Sequence, residues 1–542
     1  MAAPTFDLLV VGGGINGAAI ARDAALRGLS VCIVEMDDWG GGTSAKSSKL
    51  AHGGLRYLEQ LEFGLVHEAL SERERLLKHA PHLVKPLRFL YPLYPHIAAR
   101  RTVRMGLWLY DVLSPRKSLP RRKYLRRADA LAEAPGLNPA GLAGASVFYD
   151  AQIQHVGRLV AEMVADARAH GAVARNHTRV EYLLFEHTEG RRRVQGAVVQ
   201  PESGPQEHIL ARAVVNAAGC WVDDVLGPLA EGHPPKVRKT KGIHVVVPAF
   251  TPTAVLARGA RDGRTMFILP WQGQCILGTT DTDFEGDPRD AVANAEEVAY
   301  LAAEARRYFP DAPVEEVRYT YAGVRALVNQ PGVTESNVTR RHVLYEHAAR
   351  DGVDGLWTLQ GGKITTARAL AEECVDRIAA SLGHKARLEH PTRKRPYPGG
   401  PPGDWDEFEP VALREAAAAG LDAAAARHLV GLYGARWRDV LESDDRPEAR
   451  QRLHPAFPDL ACQATYAVRR EQAAHLGDVL LRRTMLGLGP RGNPDAARAV
   501  LAWMAGLLGW DAARQEEEWL RYQHEARALV MASAPAGRTT LA

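Results

Sequence analysis

The first thirty-five residues constrain the fold more than any other stretch. Asp7-Leu8-Leu9-Val10-Val11 is a short apolar run of the kind buried on both faces of a parallel sheet. Gly12 to Gly14 follow, and a helical pattern runs from Ile15 to Arg27 before Gly28, a residue that enters the left-handed region cheaply and so closes a helix. Leu29 to Val34 is a second apolar, β-branched run ending at Glu35. Strand, glycine turn, helix and strand in that order make one βαβ unit. Gly12, Gly14 and Gly17 satisfy G-x-G-x-x-G at the strand–helix junction, with Gly13 inside the turn. The three positions serve a tight turn, close approach of a pyrophosphate and close helix–sheet packing. The helix N-terminus then offers free N–H groups and a positive dipole end to phosphate. Glu35 stands where a carboxylate accepts hydrogen bonds from an adenosine ribose and repels a 2′-phosphate.

The rest of the chain fits an α/β protein of several units. At 542 residues, roughly 150 residues per domain predicts three to four. The 46% hydrophobic and 24% charged composition excludes disordered and fibrous classes. A net charge of +4 is too small to imply a nucleic-acid partner. The five cysteines (Cys32, Cys220, Cys275, Cys374 and Cys462) are scattered, with no C-x-x-C. That argues against a disulfide framework or a cysteine-held metal and predicts a cytoplasmic chain. No signal peptide and no apolar run of about 18 residues is visible. Val156–His170 has helical periodicity, while 194–199, 213–216, 244–247 and 267–269 read as strands. Residues 391–410, rich in Pro and Gly, read as a linker. Beyond it, 411–542 is rich in Ala, Leu, Arg and Glu and reads as a helical domain. The expected plan is a Rossmann-like dinucleotide-binding part (about 1–80, 150–235 and 345–390) interleaved with a β-rich substrate part (about 81–149 and 236–344).

The βαβ unit alone leaves FAD and NAD open. Three further loops favour a flavin. Residues 42–57 pack hydroxyls, glycines and cations behind the unit, including Thr43, Ser44, Ser48, His52, Gly53 and Gly54. Asn216-Ala217-Ala218-Gly219 ends a strand in small residues, as close passage of a cofactor requires. Gly361-Gly362-Lys363-Ile364-Thr365-Thr366 opens another helical stretch, a second N-terminus that can face an anion.

In these motifs the chain resembles the FAD-dependent (respiratory, aerobic) glycerol-3-phosphate dehydrogenases. The likeness rests on GGGING (12–17), TSxxSSKLxHGGLRYL (43–58), KGxH (241–244), GTTD (278–281), YxGVR (321–325) and GGKxTT (361–366), in order and across essentially the whole chain. Ala19 and Ala367 depart from the family's usual glycine and tyrosine. The chain lacks room for the large insertion of the related oxidases, which favours a dehydrogenase over an FAD-dependent glycerol-3-phosphate oxidase. An amine or amino-acid oxidase of the same superfamily would want one arginine and an apolar pocket rather than several convergent cations. The resemblance implies non-covalent FAD held by Gly12, Gly13, Gly14, Gly17, Glu35, Thr43, Ser44, Ser48, His52, Gly53, Gly54, Ala218, Gly219, Gly361, Gly362 and Thr365. It further implies oxidation of sn-glycerol 3-phosphate to dihydroxyacetone phosphate, with flavin N5 taking the hydride. His244 is the candidate base because imidazole titrates near neutrality. Arg325 and Lys363 join it in catalysis, and Arg56, Tyr57, Arg340 and Thr366 bind substrate, since guanidinium forks match phosphate oxygens. No metal and no nucleic acid is expected, and a homodimer stays open.

From Lys85 to Arg127 twelve Lys or Arg face one acid, Asp111. Phe89, Tyr91, Tyr94, Met105, Leu107, Trp108, Leu109 and Tyr110 are interleaved with them. A basic segment with an apolar core predicts an interfacial element drawn to an anionic membrane surface. The family's quinone acceptor and peripheral membrane association point the same way.

Overall fold

A computed structural model describes residues 5–59, 61–95, 100–114, 117–188, 190–329, 341–384, 390–488, 493–527 and 529. The opening unit forms as its pattern requires: strand Phe6–Val11, helix Ile15–Leu26 and strand Val31–Val34. Gly28 takes φ +84° just past the helix. Phe6–Val11 is the centre of a sheet, parallel to Val31–Val34 on one side and to Glu207–Asn216 on the other. The order outward is Val343–Glu346, Leu356–Gln360, Glu207–Asn216, Phe6–Val11, Val31–Val34 and Val173–Arg175. Every residue from Leu8 to Val11 is buried, which is why this strand reads as an unbroken apolar run instead of alternating. The helix Ile15–Leu26 packs on Ala18, Ala21 and Ala25, each fully or almost fully buried.

A second sheet of ten strands is mostly antiparallel. Its long pair is Val237–Pro248 against Tyr319–Val328, with Gln274–Gly278 on the other side of the first. Val84–Pro92 and Ala145–Ile153 extend it. The boundaries expected at 149/150 and 344/345 fall inside the strands Ala145–Ile153 and Val343–Glu346, because pairing, not composition, sets where a strand ends.

The C-terminal part is helical, from Trp405–Ala418 to Ala512–Arg527. The expected linker ends earlier than its composition suggests. Asp404 caps the first helix by accepting the Asp406 N–H at 2.9 Å, and Pro410 lies inside that helix. The rest of the segment is packed in place. Tyr397 is buried beneath the Arg22 guanidinium, which sits 4.4 Å from the ring centre. A Cβ on Gly399 would come within 2.3 Å of His82. One hydrophobic core runs from Leu8 and Val10 through Leu429 and Tyr433 to Tyr466, so the helical part closes over the back of the opening unit.

Packing divides the basic stretch 85–127. Phe89, Leu90 and Tyr91 are core residues of the interior strand Val84–Pro92, and Tyr94 is buried just beyond it. On the helix Arg100–Val112, Leu107 and Tyr110 point inward, while Met105, Trp108 and Val112 are exposed. Several of the cations are engaged within the chain: Lys117 with Asp111, Arg88 with Glu133 at 2.8 Å, Lys85 over Trp405 at 4.4 Å. Among the described residues of this stretch, the exposed large apolar side chains are Met105, Trp108 and Val112, on one helix face.

Candidate active site

A cavity of about 660 Å³ lies where the two sheets meet. At one end it is lined by Gly12, Gly14, Glu35, Met36 and Thr178, at strand ends of the first sheet or the turns that follow, and by Asn16 in the first turn of helix Ile15–Leu26. At the other it is lined by Ser48, Tyr57, Gly242, His244, Arg325 and Lys363.

The first end is a dinucleotide cradle. A Cβ on Gly12 would sit 2.7 Å from the Ala217 carbonyl oxygen, and one on Gly17 would overlap the Gly12 carbonyl at 1.9 Å. The turn therefore exists only with glycine at both positions. Ser44 Oγ accepts the Ile15 N–H at 2.9 Å, which fixes the loop 42–48 over the start of the helix. Glu35 Oε2 accepts the Gly13 N–H at 2.6 Å and Oε1 the Asp37 N–H at 2.9 Å. Burial pushes the Glu35 carboxyl up to about 7, so hydroxyl donors from a ribose would meet a carboxylate short of solvation. Asn16 Oδ1 is buried and has no hydrogen-bond partner among the described residues. Such a cradle, with an orphaned acceptor beside the turn, fits a dinucleotide.

The second end is built on one face of the antiparallel pair. Gly242 is opposite Gly323, His244 opposite Tyr321 and Thr240 opposite Arg325, so these side chains share a face. The two glycines make room. A Cβ on Gly242 would meet the Arg325 guanidinium at 2.1 Å, and one on Gly323 the Lys46 carbonyl at 2.6 Å. His244 is stacked on Tyr321, ring centres 4.7 Å apart and 14° from parallel. A Cβ on Gly278, its neighbour on the other side, would strike the imidazole at 2.3 Å. Thus the 278–281 motif is explained residue by residue. Gly278 admits the ring, Thr279 Oγ1 accepts from Arg325 at 2.9 Å, Thr280 Oγ1 accepts the Ile243 N–H at 3.0 Å, and Asp281 pairs with Arg325 at 3.0 Å. Lys241, on the opposite face, pairs with Glu297 at 2.9 Å and plays a structural part.

His244 Nε2 is 2.8 Å from Ser48 Oγ, while Nδ1 is buried with no hydrogen-bond partner among the described residues. Burial first, then the positive charges of Arg325 and Lys49, holds this imidazole neutral well below its ordinary range. Burial also lowers the buried Lys49 ammonium to about 8, and it lies 5.2 Å from the Tyr321 ring centre. Lys363 Nζ lies 3.6 Å over the Tyr57 ring.

The expected residues divide into three groups. Gly12, Gly14, Glu35, Thr43, Ser44, Ser48, His52, Tyr57, Ala218, Gly219, His244, Arg325, Gly361, Gly362, Lys363 and Thr365 line the cavity. Gly13, Gly17, Gly53, Gly54 and Thr366 are not among the residues that line it, and each packs closely within the chain. A Cβ on Gly13 would strike Trp39, and one on Gly54, at φ +75°, would strike the Tyr57 ring. The Gly53 N–H donates to Tyr110 at 2.8 Å. Thr366, 2% exposed, sits under the first turn of helix Ala367–Ser381, where the helix start turns it to the core. Arg340 and the Arg56 side chain lie outside the described residues. Reasoning from sequence missed Lys46 and Asn16, both on the cavity wall. Their only signal was a position inside a quoted motif.

A cavity joining a dinucleotide cradle to a buried neutral imidazole and fixed cations defines an oxidoreductase that holds its cofactor beside the substrate. Comparison with known proteins agrees. The model of the FAD dependent oxidoreductase family matches residues 7–377, and that of the C-terminal domain of alpha-glycerophosphate oxidase matches 390–515. A glycerol-3-phosphate dehydrogenase of Synechocystis sp. is 36% identical, over 96% of this chain and 96% of its own. One of Mycobacterium leprae is 38% identical, over 98% and 89%. The X-ray structure of the glycerol-3-phosphate dehydrogenase of Bacillus halodurans complexed with FAD superposes with a TM-score of 0.79 at 28% identity, covering 98% of this chain and 96% of that one. The chain belongs to the FAD-dependent oxidoreductases and, within them, to the glycerol-3-phosphate dehydrogenase family. Its cofactor is FAD.

Proposed function

We propose that this chain oxidises sn-glycerol 3-phosphate to dihydroxyacetone phosphate and passes the electrons to a membrane quinone. The observation that carries the reading is the shared sheet face on which His244 and Arg325 stand, beside the dinucleotide cradle. FAD, when bound, supplies the two-electron acceptor for the C2 hydride. The chain's own residues do the rest. His244 Nε2, the nitrogen that reaches Ser48, takes the C2 hydroxyl proton as the carbonyl forms. Stacking on Tyr321 and the close fit at Gly278 hold the ring in place for that transfer. Arg325, oriented by Asp281 and Thr279, and Lys363, seated on Tyr57, supply positive charge for a substrate phosphate. The walls that bury His244 exclude water from it.

The test is direct. Anaerobic addition of sn-glycerol 3-phosphate to the purified yellow protein removes the flavin absorbance near roughly 450 nm, as flavin reduction requires. Bleaching by sarcosine or D-amino acids, with none by glycerol 3-phosphate, would replace this reading with an amino-acid oxidase.

The quinone link is supported by an exposed apolar face. Met105, Trp108 and Val112 project from one helix, which packs against the helix Leu55–Glu59, and Leu61 and Phe63 are exposed just beyond that. Arg104 is exposed on the same helix. No helix among the described residues is long and apolar enough to cross a membrane, and the proposed contact is a peripheral one made by this exposed face. Vesicles containing anionic lipid are expected to carry the protein upward in flotation, less so at high salt. Trp108→Glu weakens that partition tenfold or more, since burying one large apolar side chain is worth about 1.5–3 kcal/mol. Equal flotation of both proteins would place the membrane contact elsewhere.

A further inference from the structure

Behind the cavity, at the junction with the helical part, two histidines meet a glutamate. His177 follows the strand Val173–Arg175, Glu202 follows Arg191–Pro201, and His475 lies between the helix Ala461–Glu471 and the π-helical segment Asp478–Arg483. The two imidazoles are edge to face with centres 4.5 Å apart. His475 Nε2 is 2.6 Å from Glu202 Oε2, and His177 Nδ1 is 4.0 Å from the same oxygen. The remaining nitrogen of each ring is tied to a buried carboxylate. His177 Nε2 is 3.0 Å from Asp478 Oδ2, and His475 Nδ1 is 2.7 Å from Glu518 Oε1.

Those carboxylates are themselves fixed. Asp478 accepts the N–H groups of Ala474 and His475 at 2.9 and 3.0 Å and pairs with Arg482 at 2.7 Å. Glu518 accepts the Leu476 N–H at 3.0 Å and pairs with Arg514 at 2.6 Å. With an ion bound, each imidazole would give its N–H to its buried carboxylate and turn the lone pair of the other nitrogen toward the ion beside Glu202. Carboxylate–histidine pairs of this kind orient the ligands of protein-bound metal ions.

We propose that His177 Nδ1, His475 Nε2 and Glu202 Oε2 bind one divalent ion of the zinc class, with water completing a tetrahedron. With metal–ligand bonds of about 2.0–2.1 Å, tetrahedral donors stand about 3.3 Å apart. The distances of 2.6 and 4.0 Å bracket that value, and all three donor atoms lie within 4.8 Å of one another, so modest side-chain shifts close the site. Two nitrogens and one carboxylate suit Zn²⁺, Ni²⁺ or Cu²⁺ better than Ca²⁺ or Mg²⁺, which take oxygen ligands. His475 is 5% exposed, while the Glu202 side chain is 41% exposed. The site thus has a solvent entry on one side and dry walls on the other. Arg521 pairs with the other Glu202 oxygen and competes with the ion for this carboxylate.

The ion would act as a staple. The His177 N–H donates to the Asp37 carbonyl and the Thr178 N–H to the Glu35 carbonyl, each at 2.8 Å. Metal held by His475 therefore ties the helical part to the strand end that carries the ribose-facing acid.

The experiment uses the FAD-loaded full chain, stripped with chelator, dialysed and titrated with Zn²⁺ against a chromophoric chelator. Wild type takes up one equivalent more than Glu202→Gln, and Zn²⁺ raises the unfolding midpoint of wild type but not of that variant. Glu518→Gln keeps the equivalent with affinity about ten- to a hundredfold weaker, and Arg521→Gln binds more tightly than wild type. Unchanged flavin absorbance verifies that each variant is folded. Equal uptake by wild type and Glu202→Gln overturns the proposal and leaves His475 as an imidazolium shared by Glu202 and Glu518. Should Glu202→Gln fail to fold, tighter binding by Arg521→Gln supports the site and unchanged binding overturns it.

Discussion

His244→Asn is expected to slow flavin bleaching by glycerol 3-phosphate by about 10²–10⁴-fold, the usual range for loss of a general base, with FAD content unchanged. The side chain stands on the second sheet, whereas the cradle that holds FAD belongs to the first. Loss of rate should therefore separate from loss of cofactor. Ser48→Ala removes only the hydroxyl that meets Nε2 and should cost far less. The pH profile gives an independent readout. A base works deprotonated, and burial together with Arg325 and Lys49 depresses the His244 pKa below 6.5. The acidic limb of kcat/KM should then fall below pH 6.5, and Arg325→Gln, which removes one of the depressing charges, should move it upward. The same depression makes His244 a source of stability above about pH 6.5, lost as the pH falls and the unfolded chain takes up a proton that the folded chain refuses. A His244→Asn enzyme that is reduced at the wild-type rate would remove the imidazole from the chemistry.

Much of the catalytic end was legible in the sequence because it depends on residue identity at points of close approach. Gly242, Gly278 and Gly323 are each required by an atom within 3 Å of where their Cβ would stand, and such positions surface as motifs. The same logic does not by itself say what Gly53 and Gly54 serve. A glycine demanded by a packed side chain, here Tyr110 or Tyr57, looks identical in sequence to one demanded by a ligand. Thr366 raises a related point: position in a motif does not say which face of a helix start a side chain takes, and here the side chain is buried. The basic stretch divides between core and surface, which its cations alone do not reveal. Lys85 and Arg88 lie within the strand Val84–Pro92, with their charges on Trp405 and Glu133, so part of the charge density belongs to a core element. What no local pattern could carry is pairing at long range. Asp38 with Arg483 joins residues 445 apart, and neither the 3.6 nor the 2.0 period contains any trace of it.

That pair yields the second large effect. Asp38→Ala is expected to destabilise the protein by about 3–5 kcal/mol, the cost of breaking a buried ion pair from one side. Arg483 and Asp38 are 0% and 1% exposed, and the guanidinium donates to both carboxylate oxygens at 2.7 Å. Arg482 adds a third bond at 2.6 Å, and Asn176 donates from the other side at 3.1 Å. The two arginines differ in what they would lose. Arg482 keeps Glu525 and Asp478 at 2.6 and 2.7 Å. Arg483 keeps the Glu471 carbonyl at 2.9 Å and that residue's carboxylate only at 3.9 Å. The orphaned charge is therefore Arg483, and Asp38→Ala with Arg483→Met should recover most of the loss, because an apolar replacement for both partners leaves no buried charge uncompensated. Total stabilities of about 5–15 kcal/mol make the single variant marginal. The damage should also reach the cofactor. Asp38 follows Asp37, whose N–H holds Glu35, so FAD should dissociate faster from the single variant than from the double. Denaturant midpoints at unchanged slope, with FAD release followed by fluorescence, measure both. A loss below about 1 kcal/mol, or a double variant no better than the single, would show that the arginines find other partners and that this junction does not support the cradle.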